Sequence, residues 1–195
     1  MSTFVVASAN PHKAQEMREI LSELGLTLLD RPAALADIVE DGATLEDNAL
    51  LKARAVVTAT GRAAIADDTG LFVDALGGEP GVHSARYAGD DATYADNVNK
   101  LLAALAGTPP RQRVAHFRTV AAVAYPDDSW FVVDGELRGV IADVARGEGG
   151  FGYDAVFAPD GENGRTLAEL TPDEKHALSH RGNALRALVE ALAQR

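Results

Sequence analysis

The stretch Ala64-Ile65-Ala66-Asp67-Asp68-Thr69-Gly70-Leu71-Phe72-Val73 decides how the rest of the chain is read. A short apolar run meets two adjacent carboxylates, then Thr69 and Gly70, then a second apolar run. Locally this spells a strand leaving a core, a tight acidic turn and a strand returning, because Asp, Thr and Gly are ordinary turn residues. Neighbouring side chains on an extended chain point to opposite faces. The two carboxylates therefore separate: one faces inward or holds the loop, the other points into a cleft. An acidic pair at the end of a buried strand also suits a hard cation, since Mg²⁺ takes oxygen ligands and only one or two carboxylates. Taken alone, the stretch favours the turn over the site.

Upstream, Thr3 to Ser8 is a short β-branched run, read as a buried strand. Asn10 suits a helix N-cap and Pro11 the first helical position, so a helix is expected from about His12 to Leu24, closed by Gly25. Ser8, Asn10 and Lys13 then sit at a strand–turn–helix junction. Free N–H groups at a helix start favour an anion, and Lys13 adds charge there. The segment is neither a Walker A loop nor a GxGxxG loop. Leu26 to Leu29 reads as a second strand, and Pro32 to Gly42 as an irregular acidic segment. Thr44 opens another helix, with Asp47 three residues on as in a capping box. Within it, Asn48 and Lys52 fall one turn apart among apolar positions. Such a polar pair is either the wet edge of the face or a functional pair that must find partners.

Downstream, Gly77-Gly78-Glu79-Pro80-Gly81 marks a sharp loop, followed by Ser84, Arg86 and Tyr87. Asp91 to Ala106 reads as a helix with Tyr94, Val98, Leu101, Leu102 and Leu105 as its apolar stripe. Two long β-rich runs, Val114 to Tyr125 and Trp130 to Ile141, are split by Pro126-Asp127-Asp128-Ser129 and predict a β-hairpin over about 113–141. It would belong to a smaller lobe or a dimer edge, with Trp130 and Phe131 packing. A second glycine-dense loop, Gly147 to Asp154, precedes a strand at Ala155 to Ala158. Thr171, Pro172 and Glu174 start a helix with a capping box, and Ser179 suits the cap of the next. Lys175, His180 and Arg181 thus gather near a helix junction, where they complement a dipole or read an anion or a base.

Composition narrows the classes. Of 195 residues, 47% are apolar, enough for a substantial core in one domain spanning 1–195. The net charge of −11 argues against a broad basic face for nucleic acid. A small anionic ligand remains compatible, because surface charges are screened beyond about 8 Å. With no cysteine, disulfides and thiolate metal sites are excluded. No signal-peptide pattern or membrane-spanning run is present, so a cytoplasmic protein without membrane contact is the expectation.

Two glycine loops, an acidic strand end, a helix-start lysine and a Lys/His/Arg group together suit a nucleoside triphosphate with Mg²⁺. On these residues the chain resembles the inosine/xanthosine triphosphate pyrophosphatase family. The resemblance is carried by Ser8-Ala9-Asn10-Pro11-His12-Lys13, by Glu40 with Asp47-Asn48-Ala49 and Lys52, and by Ala66-Asp67-Asp68-Thr69-Gly70-Leu71. It continues through Pro80-Gly81 to Tyr87, Gly149-Gly150-Phe151-Gly152-Tyr153-Asp154, and Ser179-His180-Arg181-Gly182 with Lys175 upstream. Thr69 replaces the family's usual serine and keeps its hydroxyl.

The resemblance implies hydrolysis of the α–β phosphoanhydride of ITP, dITP or XTP, giving the monophosphate and pyrophosphate. It implies Asp68 as general base and metal carboxylate, with Glu40 as a second Mg²⁺ ligand. Ser8, Ala9, Asn10, Pro11, His12, Lys13 and Thr69 would bind the substrate's phosphate side, and Lys52 and Arg86 would add positive charge. Phe151, Gly152, Tyr153, Asp154, Lys175, His180 and Arg181 would bind the purine, the two rings by stacking and the polar groups at its edge. It also suggests a homodimer. The expected fold is α/β, a mixed central β-sheet flanked by helices, in two lobes with the active site in the cleft between them. Two other readings compete: a Maf-like nucleotide pyrophosphatase and a non-catalytic nucleotide sensor. The Ser-His-Arg and Phe-Gly-Tyr-Asp motifs oppose the first, and the intact Asp67-Asp68 pair opposes the second.

Overall fold

A computed structural model describes residues 3–195. The first strand, β1 (Thr3–Val6), leads into α1 (Pro11–Glu23). Helix α1 starts as the sequence requires: the Asn10 side chain accepts from the N–H groups of His12 and Lys13, and Pro11 occupies the first turn. Next come β2 (Thr27–Leu29), an irregular segment, and α2 (Leu45–Thr60). Helix α2 is capped by Thr44 and closed by Gly61 in the left-handed conformation.

The central departure from expectation lies in β3, which runs unbroken from Ala64 to Val73. The Asp67-Asp68-Thr69-Gly70 segment is mid-strand rather than a turn. Its carboxylates are stabilised by side chains brought from other elements, so the turn that these residue types favour locally has no advantage. Gly70 serves close approach instead of reversal. A Cβ there would lie 2.8 Å from the Gly81 carbonyl oxygen and 2.9 Å from the Phe72 ring. The chain turns back further on, at Gly77 and Gly78, both with positive φ. The short β4 (Pro80–Gly81) then pairs antiparallel with β3.

Helix α3 (Tyr94–Ala104) begins at Thr93 with a full capping box to Asp96, later than the expected Asp91. Strands β5 (Val114–Ala124) and β6 (Trp130–Ile141) follow, with β7 (Phe157–Pro159), α4 (Pro172–Leu178) and α5 (His180–Ala193) completing the chain. The seven-stranded sheet has the order β2-β1-β3-β5-β6-β7, with β4 attached to β3. Strand β1 is parallel to both β2 and β3, whereas β6–β7 and β3–β4 are antiparallel. The sheet is mixed, as expected.

The chain falls into two compact units. The first comprises Met1–Asp68, Thr119–Gly135 and His180–Arg195. Its core gathers Phe4 and Val6, Met17, Ile20 and Leu21 of α1, Ile65, Val123, Phe131, and Leu185 and Leu188 of α5. The second comprises Thr69–Arg118 and Glu136–Ser179. Its core gathers Leu71 and Val73, Leu101 and Leu105 of α3, Phe117, Ile141, Tyr153 and Phe157. The expected hairpin is divided: its tip belongs to the first unit and its outer ends to the second. Phe131 packs in the core, whereas Trp130 remains 45% exposed with the Arg54 guanidinium over its ring.

Candidate active site

The residues with the richest chemistry in the first unit converge on Asp67 and Asp68. Both are almost fully buried, which is costly for carboxylates unless they are paired. Asp68 accepts a hydrogen bond from Asn48 Nδ2 at 3.2 Å on one oxygen and from Lys52 Nζ at 3.1 Å on the other. Asn48 and Lys52 are thus a buried pair with partners, not the wet edge of α2. One helical turn places both side chains on the same carboxylate.

The irregular segment before α2 is tied to the same point. Asn48 Oδ1 accepts from the Gly42 N–H at 2.8 Å, and a Cβ on Gly42 would lie 2.6 Å from that oxygen. Lys52 Nζ also donates to Glu40 Oε2 at 2.8 Å. One ammonium therefore holds Glu40 and Asp68 within hydrogen-bond distance of itself. Burial alone would lower the pKa of Lys52, but Asp68, Glu40 and Asp67 raise it above the ordinary lysine value, so it stays charged.

Asp67 points to a different set of partners, as strand alternation requires. Arg181 Nε donates to its Oδ2 at 3.0 Å, and Arg181 also pairs with Glu16 of α1. Lys13 Nζ stands 3.9 Å from Asp67 and 4.0 Å from Asp68. Burial would raise the pKa of Asp67, yet Lys13, Arg181 and Lys52 hold it well below the usual carboxylate range. Lys13 shows the opposite balance. Burial lowers its pKa below the ordinary lysine value, assisted by Lys52 and Arg181 and opposed by Asp67 and Asp68. Its side chain still keeps 18% of its surface exposed. The helix-start N–H groups beside it are engaged by Asn10, so anion attraction here rests chiefly on the Lys13 ammonium. Ser8 and Asn10 brace this loop, the Asn10 N–H donating to Ser8 Oγ at 3.3 Å.

The Lys175, His180 and Arg181 group separates in the structure. Arg181 is 2% exposed and held by two carboxylates. His180 Nδ1 lies 2.6 Å from Thr119 Oγ1. Lys175 belongs to the second unit, where its Nζ donates to Asp154 Oδ2 at 2.8 Å and stands 4.9 Å from the Phe151 ring centre. The same Asp154 oxygen accepts from the Phe151 N–H at 2.9 Å. Gly150 makes this bracket possible: its φ is +72°, and a Cβ would lie 2.1 Å from that oxygen. The two rings of the motif also separate. Tyr153 is buried in the core with its hydroxyl on the Ser84 carbonyl at 2.8 Å, whereas Phe151 remains partly exposed. Tyr94, expected in the apolar stripe of α3, is 40% exposed and lies 5.9 Å from Phe151, ring to ring.

Sequence reading missed Glu16 and Thr119. Glu16 follows Lys13 by one helical turn, a spacing that carries a weak signal. Thr119 sits in an apolar strand run and carries none.

A family model, the Ham1 family, matches residues 4–191. The chain belongs to the Ham1 family. Among curated relatives, a protein of Geobacillus kaustophilus (strain HTA426) named dITP/XTP pyrophosphatase is 49% identical, covering 97% of this chain and 94% of its own. One of Streptomyces coelicolor with the same name is 45% identical and covers 100% and 98%. A solved HAM1 protein from Coxiella burnetii superposes with a TM-score of 0.88 at 41% identity, covering all of both chains. The dITP/XTP pyrophosphatase structure from Mycobacterium abscessus gives 0.74 at 45% identity, covering 97% of this chain and 99% of its own. The family resemblance read from the motifs is thereby borne out.

The family resemblance implies a divalent cation, and the residues fit one. Among the described residues, no group of three or more His, Cys, Asp or Glu is placed to hold a metal by itself. Mg²⁺ needs less: one or two carboxylates, with substrate phosphates and water completing the shell. Asp68 and Glu40 offer that pair, already gathered on Lys52.

Proposed function

We propose that this protein hydrolyses non-canonical purine nucleoside triphosphates (ITP, dITP and XTP) to the nucleoside monophosphate and pyrophosphate. The observation that carries the reading is the arrangement around Asp68: a buried carboxylate oriented on both oxygens by Asn48 and Lys52, with Lys13 beside it. Full-length relatives bearing the pyrophosphatase name support the same chemistry.

In this reading Asp68 is the general base that takes a proton from the attacking water. Asn48 and Lys52 fix the direction of its lone pairs, which is the positioning such a base needs. Lys13, with the loop from Ser8 to His12 and Thr69, holds the phosphate chain as a compact charge. Asp68 and Glu40 would bind Mg²⁺, which supplies charge neutralisation of the triphosphate and orientation of the water. Arg181 acts through Asp67, setting the strand against which Lys13 stands. Phe151 offers a stacking face, while Tyr153, Asp154 and Lys175 shape the loop that carries it. Gly152 gives that loop its positive φ.

A 6-oxo purine presents an acceptor where adenine presents an amino donor. A site of donors there discriminates by roughly 10⁴-fold when the hydrogen bond is obligatory. We further propose a homodimer acting in the cytoplasm, without nucleic-acid or membrane partners. Among the described residues no helix is long and apolar enough to cross a membrane.

Incubation with Mg²⁺ and ITP, XTP, dTTP or ATP should yield monophosphate and pyrophosphate from ITP and XTP. Orthophosphate as the direct product would move cleavage to the γ position, and binding of ITP without turnover would remove the enzyme reading. Light scattering on the eluted protein tests the dimer.

A further inference from the structure

The contact between Thr119 and His180 has no part in the chemistry assigned above. Thr119 is fully buried on β5, and His180, 4% exposed, opens α5. Their side chains meet at 2.6 Å through Oγ1 and Nδ1. The backbone beneath is equally constrained. Gly135 of β6 lies against the first turn of α5, where a Cβ would stand 2.5 Å from the His180 carbonyl oxygen and 2.3 Å from the Ala184 nitrogen. The start of α5 is therefore seated on β6 and the imidazole is held from β5.

An imidazole has two nitrogens, and in the neutral ring one donates while the other accepts. With Nδ1 on Thr119, any further contact of the ring runs through Nε2. We propose that Thr119 is a specificity-determining positioning residue, whose hydroxyl donates to Nδ1 and holds the neutral ring as the Nε2–H tautomer. The inference rests on the reading that His180 meets the purine edge. A 6-oxo group is an acceptor and requires the Nε2–H donor, whereas the 6-amino group of adenine requires an acceptor. The hydroxyl must donate to set this tautomer, and it turns to accept only when the ring is protonated. If the ring gains a proton, Nδ1–H donates to Oγ1 and Nε2–H remains a donor. The preference for 6-oxo bases is then insensitive to the charge on His180.

The test uses the full chain with Thr119→Val, Thr119→Ser and His180→Ala. It compares kcat/KM for ITP and ATP and records the ¹⁵N shifts of the His180 ring. In the wild type these shifts should show a protonated Nε2 and an unprotonated Nδ1. Thr119→Val should mix the tautomers and lower the ITP-to-ATP ratio by about tenfold, mainly through the KM for ITP. Thr119→Ser, which keeps the hydroxyl, should restore both the ratio and the spectrum. An unchanged ¹⁵N pattern or an unchanged ratio in Thr119→Val overturns the proposal. If His180→Ala still lowers the ratio, the base contact of His180 survives that failure. If His180→Ala leaves the ratio intact, the reading of His180 itself fails and the role of Thr119 falls with it.

Discussion

Two polar regions of this molecule are built on different plans. Around Asp67 and Asp68, side chains from α1, α2, β3 and α5 meet, and carboxylates alternate with cations: Glu16, Arg181, Asp67, Lys13, Asp68, Lys52, Glu40. Around Phe151, one loop and one helix suffice: Asp154 accepts from the Phe151 N–H and from Lys175. In the first region every member between Glu16 and Glu40 answers to two neighbours. The second fixes the pose of a ring. On the proposed function the difference separates reaction from recognition, and substitutions should divide between kcat and KM accordingly.

The sharpest division is expected from Asp68→Asn. Removing a positioned base should lower kcat by about 10²–10⁴-fold with the KM for ITP nearly unchanged. A variant retaining wild-type turnover would show that the base lies elsewhere. Arg181→Met comes next, read as stability. It strands Asp67 and Glu16, of which Asp67 is fully buried, and loss of one partner of a buried pair costs about 3–5 kcal/mol. For a chain of this size that lowers Tm by roughly 10 °C. A Tm within a degree or two of wild type would mean that Lys13 alone sustains Asp67.

Phe151→Ala should do the reverse of Asp68→Asn. Stacking on an aromatic ring is worth about 1–3 kcal/mol per base, so the KM for ITP should rise about tenfold or more at nearly constant kcat. A fall in kcat instead would join the two regions into one functional set. The smallest effect concerns pH. Burial lowers the Lys13 pKa, so as pH rises its charge is lost below the ordinary lysine value. The alkaline limb of kcat/KM should follow that loss in the free enzyme and move to higher pH in Lys13→Arg. An unmoved limb would assign it to another group.

The fold was legible wherever local chemistry and tertiary demand agreed. Asn10 and Pro11, Thr44, and Thr171 with Glu174 each start a helix where their capping chemistry requires one. Legibility failed at Asp67-Asp68-Thr69-Gly70. These residue types favour a turn in isolation, and only partners such as Arg181, 114 positions away, make a buried extended strand the better solution. Tyr94 failed for a similar reason, since helical spacing places it on the apolar stripe but not against Phe151.

The sequence by itself determined the family, the five helices in order, and the two chemically rich segments at Asp67-Asp68 and Phe151 to Asp154. These follow from motif, periodicity and capping, all carried by residues close in the chain. The tertiary structure alone decided which carboxylate answers to Asn48 and Lys52 and which to Arg181. It also buried Tyr153 and set Thr119 against His180. Pairing of charges and hydrogen bonds across a sheet depends on distances that no local pattern encodes, and burial then makes those pairings obligatory.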